Sequence, residues 1–483
     1  MKLFLQFASG PAAFLILYAL PLPGISSEAQ VAGAVFTWMV FWWMLQPLPW
    51  GVTSVLPLIL FPMLRLMSIN QAVDIYAETI FFWIWGTVLM GYALDKRGLA
   101  RRFALWFMSL PAVGGNSNRL AFAFMLVTCL VSTVVSDAAT VAMMMPVGIS
   151  VVIFAKKVLK IPATAKSNFG AFLALAALYG AEAGGTATIA GIPHNKLSVD
   201  LLESITGRTL GWFEWMKVGV PITIVTLVMF YFTLRYFFPP EFKEIPGGEE
   251  FLRQEKEKLG PLNRGEKATL FVFGVMVALF TIPTLFQFVL GPTHPITRWA
   301  DVGLSLNVVP PLLIVLLLAT PVDWGKSEFV LDWKDALVNS PWDIMLLCAS
   351  ATGMVGVLVS FGLAESLGSL VQNLGLGVHS LPFASAAIVA LSTNIMSGTA
   401  ATTLFGSILI PAAVQIGWNP ASMAILIPNV ALGVATPWAG AASGTAFATG
   451  EIEMKSMIRI GFIATIGFVI TRAFMHILMA PYL

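Results

Sequence analysis

Long apolar runs separated by short polar segments dominate this chain. A membrane-spanning helix needs about 20 mostly apolar residues, and the runs of that kind are numerous enough to predict a polytopic, all-α membrane protein. We predict eleven spans, at residues 8–23, 31–48, 51–67, 77–94, 168–190, 214–238, 268–290, 299–320, 341–362, 421–446 and 457–481.

Two further apolar stretches, 120–155 and 381–417, are interrupted in the middle by small polar residues. The interruptions run from Ser132 to Thr140 and from Ser392 to Thr403. Irregular backbone at membrane depth is tolerated only where protein or a water-filled cavity satisfies its polar groups. We therefore predict that each stretch is a re-entrant hairpin, in which two short helices meet at a polar tip.

The composition excludes several classes of protein. The chain is 58% apolar and 11% charged, whereas soluble proteins are about 45–50% apolar and about 25% charged. A soluble enzyme and a nucleic-acid-binding protein are therefore excluded, and the net charge of +2 gives no reason to expect a nucleic acid as partner. The sequence has no nucleotide-binding glycine loop and no paired-histidine metal motif, which argues against an ATP-driven pump and against a resident cofactor.

Positively charged residues predict the orientation in the membrane. With the N-terminus in the cytoplasm, most of the 27 Lys and Arg residues lie inside. This holds only if the stretch 120–155 enters and leaves from the cytoplasm. The charged segment 239–267 then becomes a cytoplasmic connector. We expect a multi-pass protein of the cell (inner) membrane, surrounded by the lipid bilayer, with its C-terminus outside.

The two halves of the chain repeat the same order of features. In the first half, Gly98-Leu99-Ala100 ends a span and leads through an amphipathic stretch to the first hairpin; Gly362-Leu363-Ala364 does the same before the second. After each hairpin a span is broken, by GGTATIAGIPHN (184–195) and by GVATPWAGAASG (433–444). Paired breaks at matching positions indicate a transporter site at the bilayer midplane. The first hairpin is expected to open to the cytoplasm and the second to the outside.

Broken helices offer the chemistry that such a site needs. Their N-terminal ends present free N–H groups and a positive dipole end, which favour an anion. Their free carbonyls, together with Ser and Thr hydroxyls, can hold a cation. Close packing of helices through small residues is the alternative explanation for a single cluster, but four clusters in symmetric positions favour a binding site.

These motifs resemble the divalent anion/sodium symporter family of dicarboxylate, tricarboxylate and sulfate transporters. SDAATVAMMMP (136–146) is similar to the family's first tip, where Ser-Asn-Thr is followed by Ala-Thr-Ala-Ala-Met-Met-Leu-Pro. Ser397-Gly398-Thr399 stands where the family has a second Ser-Asn-Thr. The two family loops are matched at Gly184, Gly185, Thr188, Gly191, Pro193, Asn195, Val434, Ala435, Thr436 and Pro437.

The resemblance implies a homodimer in which a transport domain moves like an elevator against a scaffold domain. The scaffold would comprise residues 1–76 and 268–340. The transport domain would comprise 77–238 and 341–483, with 239–267 connecting the halves. The amphipathic stretches 99–118 and 364–380 would be interfacial arms that link the two domains.

The resemblance also implies where the ligands bind. The substrate anion would contact Ser136, Asp137, Ser397, Gly398, Thr399, Thr436 and Pro437. Two tentative sodium sites would flank it: Ser132, Ser136, Asp137 and Gly191 for the first, and Thr393, Ser397, Gly398 and Ala435 for the second.

The chain departs from the family at the tips. Asp137 replaces an Asn, Gly398 replaces another, and His194 replaces a Pro. An ionised Asp137 would repel a dianion, so it holds a cation, is protonated during transport, or points away. Glu182 is a second intramembrane acid, and such residues are functional candidates, although each could equally pair with a nearby hydroxyl or backbone group. We predict Asp137 and Glu182 as coupling residues.

The sequence allows two interpretations of His194 and Lys196. Both follow the first broken span and could supply the positive charge that the tips lack. An interfacial position for both residues explains the sequence equally well.

Together these features predict a secondary active transporter, not an enzyme. The expected substrate is a small divalent organic anion such as succinate or malate, coupled to sodium (Na+) or protons or moved by exchange. Transport of sulfate or another inorganic oxyanion is the alternative, and an anion channel is less consistent with two opposed hairpins.

Overall fold

The computed structural model consists almost entirely of α-helices. It describes residues 2–22, 25–162, 164–363, 366, 369, 371 and 375–483. Within these residues the strands form one small antiparallel sheet, made of β1 (Pro321–Asp323) and β2 (Glu328–Phe329). The predicted all-α class is confirmed.

The helices of the first half precede the charged connector. They are α1 (Lys2–Ala19), α2 (Ser27–Leu45), α3 (Trp50–Thr53), α4 (Leu56–Met63), α5 (Ile69–Asp74), α6 (Thr79–Lys96), α7 (Leu99–Met108), α8 (Ser117–Ser132), α9 (Asp137–Val158), α10 (Asn168–Gly185), α11 (Pro193–Thr206) and α12 (Trp212–Phe237).

The connector contains one helix and is followed by the helices of the second half. They are α13 (Gly248–Glu257), α14 (Arg264–Leu290), α15 (Pro295–Gly303), α16 (Val309–Ala319), α17 (Trp333–Val338), α18 (Trp342–Ser360), α19 (Ser380–Ser392), α20 (Gly398–Ile416), α21 (Pro420–Val430), α22 (Ala441–Ala448) and α23 (Met454–Met479).

Seven helical stretches of the described chain are long and apolar enough to cross a membrane. The predicted count of eleven simple spans is therefore not confirmed. The seven are Ile69–Lys96, Asp137–Val158, Trp212–Phe237, Arg264–Leu290, Trp342–Ser360, Gly398–Ile416 and Met454–Tyr482.

Two predicted spans are each divided into a pair of short helices. The stretch 51–67 contains α3 and α4, and 299–320 contains the end of α15 and all of α16. Pro57 and Pro310 lie in the first turns of α4 and α16. Proline has no N–H to donate and is accommodated at the start of a helix. Apolar character alone did not reveal these restarts.

The first hairpin enters and leaves on the same side of the molecule. Asn116, just before α8, forms an isolated bridge with Glu244 of the connector. Phe154, near the end of α9, stacks on Phe251 of the connector with 4.2 Å between the ring centroids. Because both ends of the stretch touch the same connector, α8 and α9 form a hairpin and do not cross as one span.

The second hairpin opens toward the opposite end of the molecule. Both of its helices, α19 and α20, pack against the short helix α21. The last helix, α23, has 26 residues, which makes it roughly 39 Å long. Lys156, at the end of α9, pairs with Glu451 just before α23 at 2.5 Å. Asn419, after α20, donates a hydrogen bond of 2.9 Å to the carbonyl of Ala480 just beyond α23.

The order of elements from α6 to α12 recurs from α18 to α23. Each series has a long helix, a hairpin and a helix that breaks into a loop near its end. The predicted arm 99–118 contains α7, while about half of the arm 364–380 lies outside the described residues.

Helices α6 and α18 pack against and hydrogen-bond to elements outside the hairpins. Gly86 of α6 packs so closely on the backbone of Pro310 in α16 that a Cβ atom would overlap it. Arg97, just after α6, donates a hydrogen bond of 2.6 Å to the carbonyl of Phe329 in β2. Asp343 of α18 accepts a hydrogen bond of 3.2 Å from the N–H of Gly51 in α3.

Cysteine labelling tests the hairpin geometry. In Lys157→Cys and Glu249→Cys, the new thiol lies at an exposed position on the connector side. Thr209→Cys lies at the far end of α12. We expect a membrane-impermeant maleimide to label the first two variants from one side of the membrane and the third from the other. The native thiols, Cys129 and Cys348, are buried and give a low background.

The labelling of Lys157→Cys and Glu249→Cys from the same side or from opposite sides decides whether 120–155 is a hairpin. Labelling of these two positions from opposite sides would show that 120–155 crosses the membrane.

Candidate functional site

The first tip is the break between α8 and α9. Ser132, at the end of α8, is fully buried, and its Oγ donates a hydrogen bond of 2.7 Å to the carbonyl of Ala181. Ser136 is the N-cap residue of α9, but its side chain makes no capping hydrogen bond. A cavity of about 180 Å³ lies beside Ser136 and is lined also by Asp95 and Asn339. A small polar ligand therefore has room next to this tip.

Asp137 is the first residue of α9 and is half-buried. Its carboxylate lies against the backbone N–H groups of Asp137 itself and of Ala138. These groups form the positive end of the helix, which favours a negative charge. The first tip thus carries an acidic side chain of its own. When Asp137 is ionised, it repels a second anion there unless a cation neutralises the carboxylate.

The second tip differs from the first in charge. Ser397 caps α20, since its Oγ accepts a hydrogen bond of 3.2 Å from the N–H of Ala400. Gly398 is the first residue of α20, in the position that Asp137 has in α9, and Thr399 follows it, buried. The N-terminus of α20 therefore has no acidic side chain of its own at this position, and its dipole favours a bound anion.

The loop between α10 and α11 packs against the first tip. The hydroxyl of Thr188 donates a hydrogen bond of 2.5 Å to the carbonyl of Thr133. The side-chain amide of Asn195 donates to the carbonyls of Gly185 and Thr188, both at 2.8 Å. Gly191 lies so close to Gly185 that a Cβ atom would overlap its backbone. The glycines predicted as loop residues therefore allow a close approach of two backbone segments.

The loop between α21 and α22 packs in the same way against the second tip. The hydroxyl of Thr393 lies 3.3 Å from the carbonyl of Leu432, to which it donates. The hydroxyl of Thr436 donates to the carbonyl of Asn394 at 3.5 Å, and Pro437 follows in the same irregular segment. The structure thus joins each tip to one loop.

The first predicted sodium set is partly brought together. Ser132 and Gly191 both approach Gly185: the Oγ of Ser132 would lie 3.7 Å from a Cβ atom placed on Gly185, and Gly191 packs on its backbone. Ser136 and Asp137 lie across the tip, at the start of α9. Hydroxyl, carboxylate and carbonyl oxygens are the ligand types that hard cations prefer, so the residue types fit a small cation.

The second predicted sodium set is poorer in side-chain oxygens. Gly398 offers only its backbone, beside the carbonyl of Ala431, which a Cβ atom would approach to 2.8 Å. Ala435 lies in the loop but packs tightly against Gly461 of α23. Thr393 and Ser397 are the members of this set with a hydroxyl.

Glu182 lies beside a residue that the motifs did not identify, Arg472. Glu182 is 5% exposed, its carboxylate lies against the backbone of Gly433, and the charges that act on it are those of Asp137 and Arg472. Arg472 is fully buried in α23. Its Nε donates a hydrogen bond of 3.2 Å to the hydroxyl of Thr226, while Nη1 and Nη2 have no hydrogen-bond partner among the described residues.

The sequence did contain a signal for Arg472. It is a lone arginine inside the last predicted span, and an ionisable residue at such a depth is a functional candidate. Only the folded structure shows that the charge lies near Glu182, which is almost 300 residues earlier in the chain.

His194 and Lys196 lie in different surroundings, although they are two residues apart. Lys196 forms an ion pair with Asp200 one turn further along α11, and both side chains are buried. Its charge is therefore already compensated. His194, at the start of α11, contacts Gly398 at the second tip. Of these two predicted candidates, only His194 has a contact with a tip in the structure.

Comparison with protein families identifies a match over nearly the whole chain. The family model described as the sodium:sulfate symporter transmembrane region matches residues 2–481. The sodium-dependent dicarboxylate transporter SdcS of Staphylococcus saprophyticus is 27% identical over 486 residues, covering 98% of this chain and 91% of SdcS. SdcS of Staphylococcus aureus strain RF122 is 27% identical over 464 residues, covering 94% and 86%.

Solved structures share the fold at lower sequence identity. MtrF of Neisseria gonorrhoeae, described among antimetabolite efflux pumps, is 15% identical with a TM-score of 0.55, covering 98% of this chain and 92% of MtrF. The YdaH transporter of Alcanivorax borkumensis is 14% identical with a TM-score of 0.51, covering 98% and 96%. These similarities concern the fold alone.

A double-mutant cycle tests the coupling between Glu182 and Arg472. Glu182→Gln and Arg472→Leu should each lower the melting temperature, because each leaves the other charge buried without its opposite. The double variant should lose less than the sum of the two, with a coupling free energy on the order of 1 kcal/mol or more. Thermal unfolding of the four proteins in detergent measures this.

The matched control is Thr269→Val in α14, which removes a buried hydrogen bond to the carbonyl of Gly265 and shares no partner with Glu182 or Arg472. Its effect should simply add to that of Glu182→Gln. Additive losses in the Glu182–Arg472 cycle would show that the two charges do not interact.

Proposed function

Because the chain belongs to the sodium:sulfate symporter family, we propose that it is a secondary active transporter of small dicarboxylates such as succinate or malate. The family expected from the tip and loop motifs, the divalent anion/sodium symporters, is thereby confirmed. The observation that carries the proposal is the arrangement of the two hairpins. They open toward opposite ends of the molecule, and each tip ends in a helix N-terminus packed on a broken helix.

The relatives support a dicarboxylate as substrate. SdcS is described as a dicarboxylate transporter in both staphylococci, and the similarity covers most of each protein. The family description names sulfate, so sulfate or another small inorganic oxyanion is the second candidate. Both are anions that a helix N-terminus can bind. A channel is less well supported, because two opposed hairpins fit alternating access.

Sodium is the coupling ion that we propose. SdcS is described as sodium-dependent, and the predicted ligands around the first tip offer suitable oxygens. In this proposal the cation neutralises Asp137 before the dianion binds, with Glu182 as the second coupling residue. Coupling to protons, or exchange of one anion for another, would appear instead as uptake that does not depend on sodium.

We propose an elevator movement of a transport domain in a homodimer of the cell (inner) membrane, with a cytoplasmic N-terminus and an outer C-terminus. The contacts of α6 with α16 and of α18 with α3 favour counting α6 and α18 with the scaffold. The moving part would then be smaller than 77–238 and 341–483. A cavity of about 650 Å³ between α11–α12 and α14–α15, lined by Lys196, Trp212 and Phe280 among others, supports a sliding boundary there.

Uptake by proteoliposomes tests the proposed function. We expect saturable, sodium-dependent accumulation of labelled succinate that unlabelled succinate and malate inhibit more strongly than sulfate or citrate. The physical reason is that succinate and malate can place one carboxylate at the N-terminus of α20 and the other beside the cation held at the first tip. Inhibition by sulfate alone would favour the inorganic oxyanion, and unsaturable flux would favour a channel.

Asp137→Asn tests the role proposed for the first tip. The substitution removes the charge but keeps a side-chain oxygen that can still accept from the backbone N–H groups of residues 137 and 138. If the carboxylate holds the coupling cation, the sodium concentration that gives half-maximal uptake should rise about tenfold, which corresponds to about 1.4 kcal/mol of lost attraction. Sodium titrations of succinate uptake measure this. An unchanged titration would exclude Asp137 as the cation ligand and leave Glu182 to be tested.

A further inference from the structure

The second tip has a glycine where a side chain would be expected, and a histidine fills the space beside it. A Cβ atom on Gly398 would lie 3.0 Å from Cε1 and 3.3 Å from Nε2 of His194. The same atom would lie 2.8 Å from the carbonyl oxygen of Ala431. A residue larger than glycine at 398 would therefore collide with the carbonyl of Ala431 and press on the imidazole. His194 and Gly398 are sterically complementary.

The imidazole is buried and incompletely paired. His194 is 8% exposed, and its Nε2 has no hydrogen-bond partner in the described part of the chain. Leaving a buried polar atom unpaired costs about 1–3 kcal/mol, and such atoms are uncommon in folded proteins. A ligand that pairs with Nε2 would remove this cost.

The surroundings of Nε2 favour a negatively charged ligand. Gly398 begins α20, a helix of 19 residues, whose free N–H groups and dipole make its N-terminus an anion site. The acid at the equivalent position of the first tip, Asp137, has no counterpart here. Both tips present helix N–H groups, but the first helical residue is an acid at the first tip and a glycine at the second. The second tip is therefore the more favourable one for an anion.

The position of His194 is well fixed. It follows Pro193 in the first turn of α11. The next residue, Asn195, ties this turn to the first loop through hydrogen bonds to the carbonyls of Gly185 and Thr188. Helix α11 packs along α20. The imidazole is thus carried by the first half of the chain and presented to the hairpin of the second half.

We infer that His194 is a substrate-contacting residue, whose Nε2–H donates a hydrogen bond to an oxygen of the bound dianion at the second tip. A neutral imidazole carries one N–H donor, and it supplies here the side-chain contact that Gly398 cannot make. The inference rests on the proposed transport function and adds to it one residue that determines the affinity for the anion.

The test compares variants that keep or remove the donor. Full-length protein and the variants His194→Gln, His194→Ala and His194→Met are assayed in proteoliposomes with succinate and, separately, sulfate. Glutamine places an amide N–H near the position of Nε2, whereas alanine and methionine have no donor. We expect the KM for the transported anion to rise about tenfold or more in the last two variants, as for a lost hydrogen bond to a charged group. It should stay within about threefold in His194→Gln.

Gly398→Ala tests the same contact by changing Gly398 instead of His194. The added methyl group should press on the imidazole and raise the KM. Ser198→Ala is the matched control: it removes the hydrogen bond from Ser198 to the carbonyl of Ala424, on the same helix, and should leave the KM unchanged.

The possible failures can be told apart. If the unsubstituted protein accumulates neither succinate nor sulfate, the proposed function fails and this inference fails with it. If it accumulates either anion and His194→Ala or His194→Met keeps its KM, only the inference is overturned. It is also overturned if His194→Gln is as impaired as His194→Met.

Discussion

The structure depends on one constraint, which is that backbone polar groups at membrane depth must find partners. Four breaks in helices place free N–H and carbonyl groups in this region, two at the hairpin tips and two in the loops. The protein satisfies part of them by packing each tip on a loop, as in the hydrogen bond from Thr188 to Thr133. In the proposed function, the groups that remain bind the ligands. Ligand binding and backbone satisfaction are thus aspects of the same physical requirement.

The two tips use the same geometry with different charges. Asp137 places a carboxylate at the positive end of α9, while Gly398 leaves the corresponding end of α20 without one. A symmetric repeat therefore produces an asymmetric site, with a cation favoured at one tip and an anion at the other. His194 strengthens this asymmetry, because its unpaired Nε2 lies next to Gly398.

Buried charges connect the site to the helices behind it. Glu182 lies in the same buried region as Asp137 and Arg472, and Arg472 donates a hydrogen bond to Thr226 of α12. Charges in such surroundings are costly unless each has an opposite charge nearby. The presence of a carboxylate and a guanidinium in one buried region therefore links α10, α12 and α23 electrostatically. A change in charge at the first tip acts on these same groups.

The sequence by itself determined the helical class, the family and the positions of both hairpins, because long apolar runs, small polar interruptions and tip motifs are local features. Its count of eleven simple spans is not confirmed, since apolar character does not show where proline restarts a helix, as at Pro57. The contact of His194 with Gly398 and the proximity of Glu182 to Arg472 were decided only by the tertiary structure. Each joins residues more than 200 positions apart, and no local pattern encodes which distant helix packs against which. The packing of α6 on α16 was beyond the sequence for the same reason.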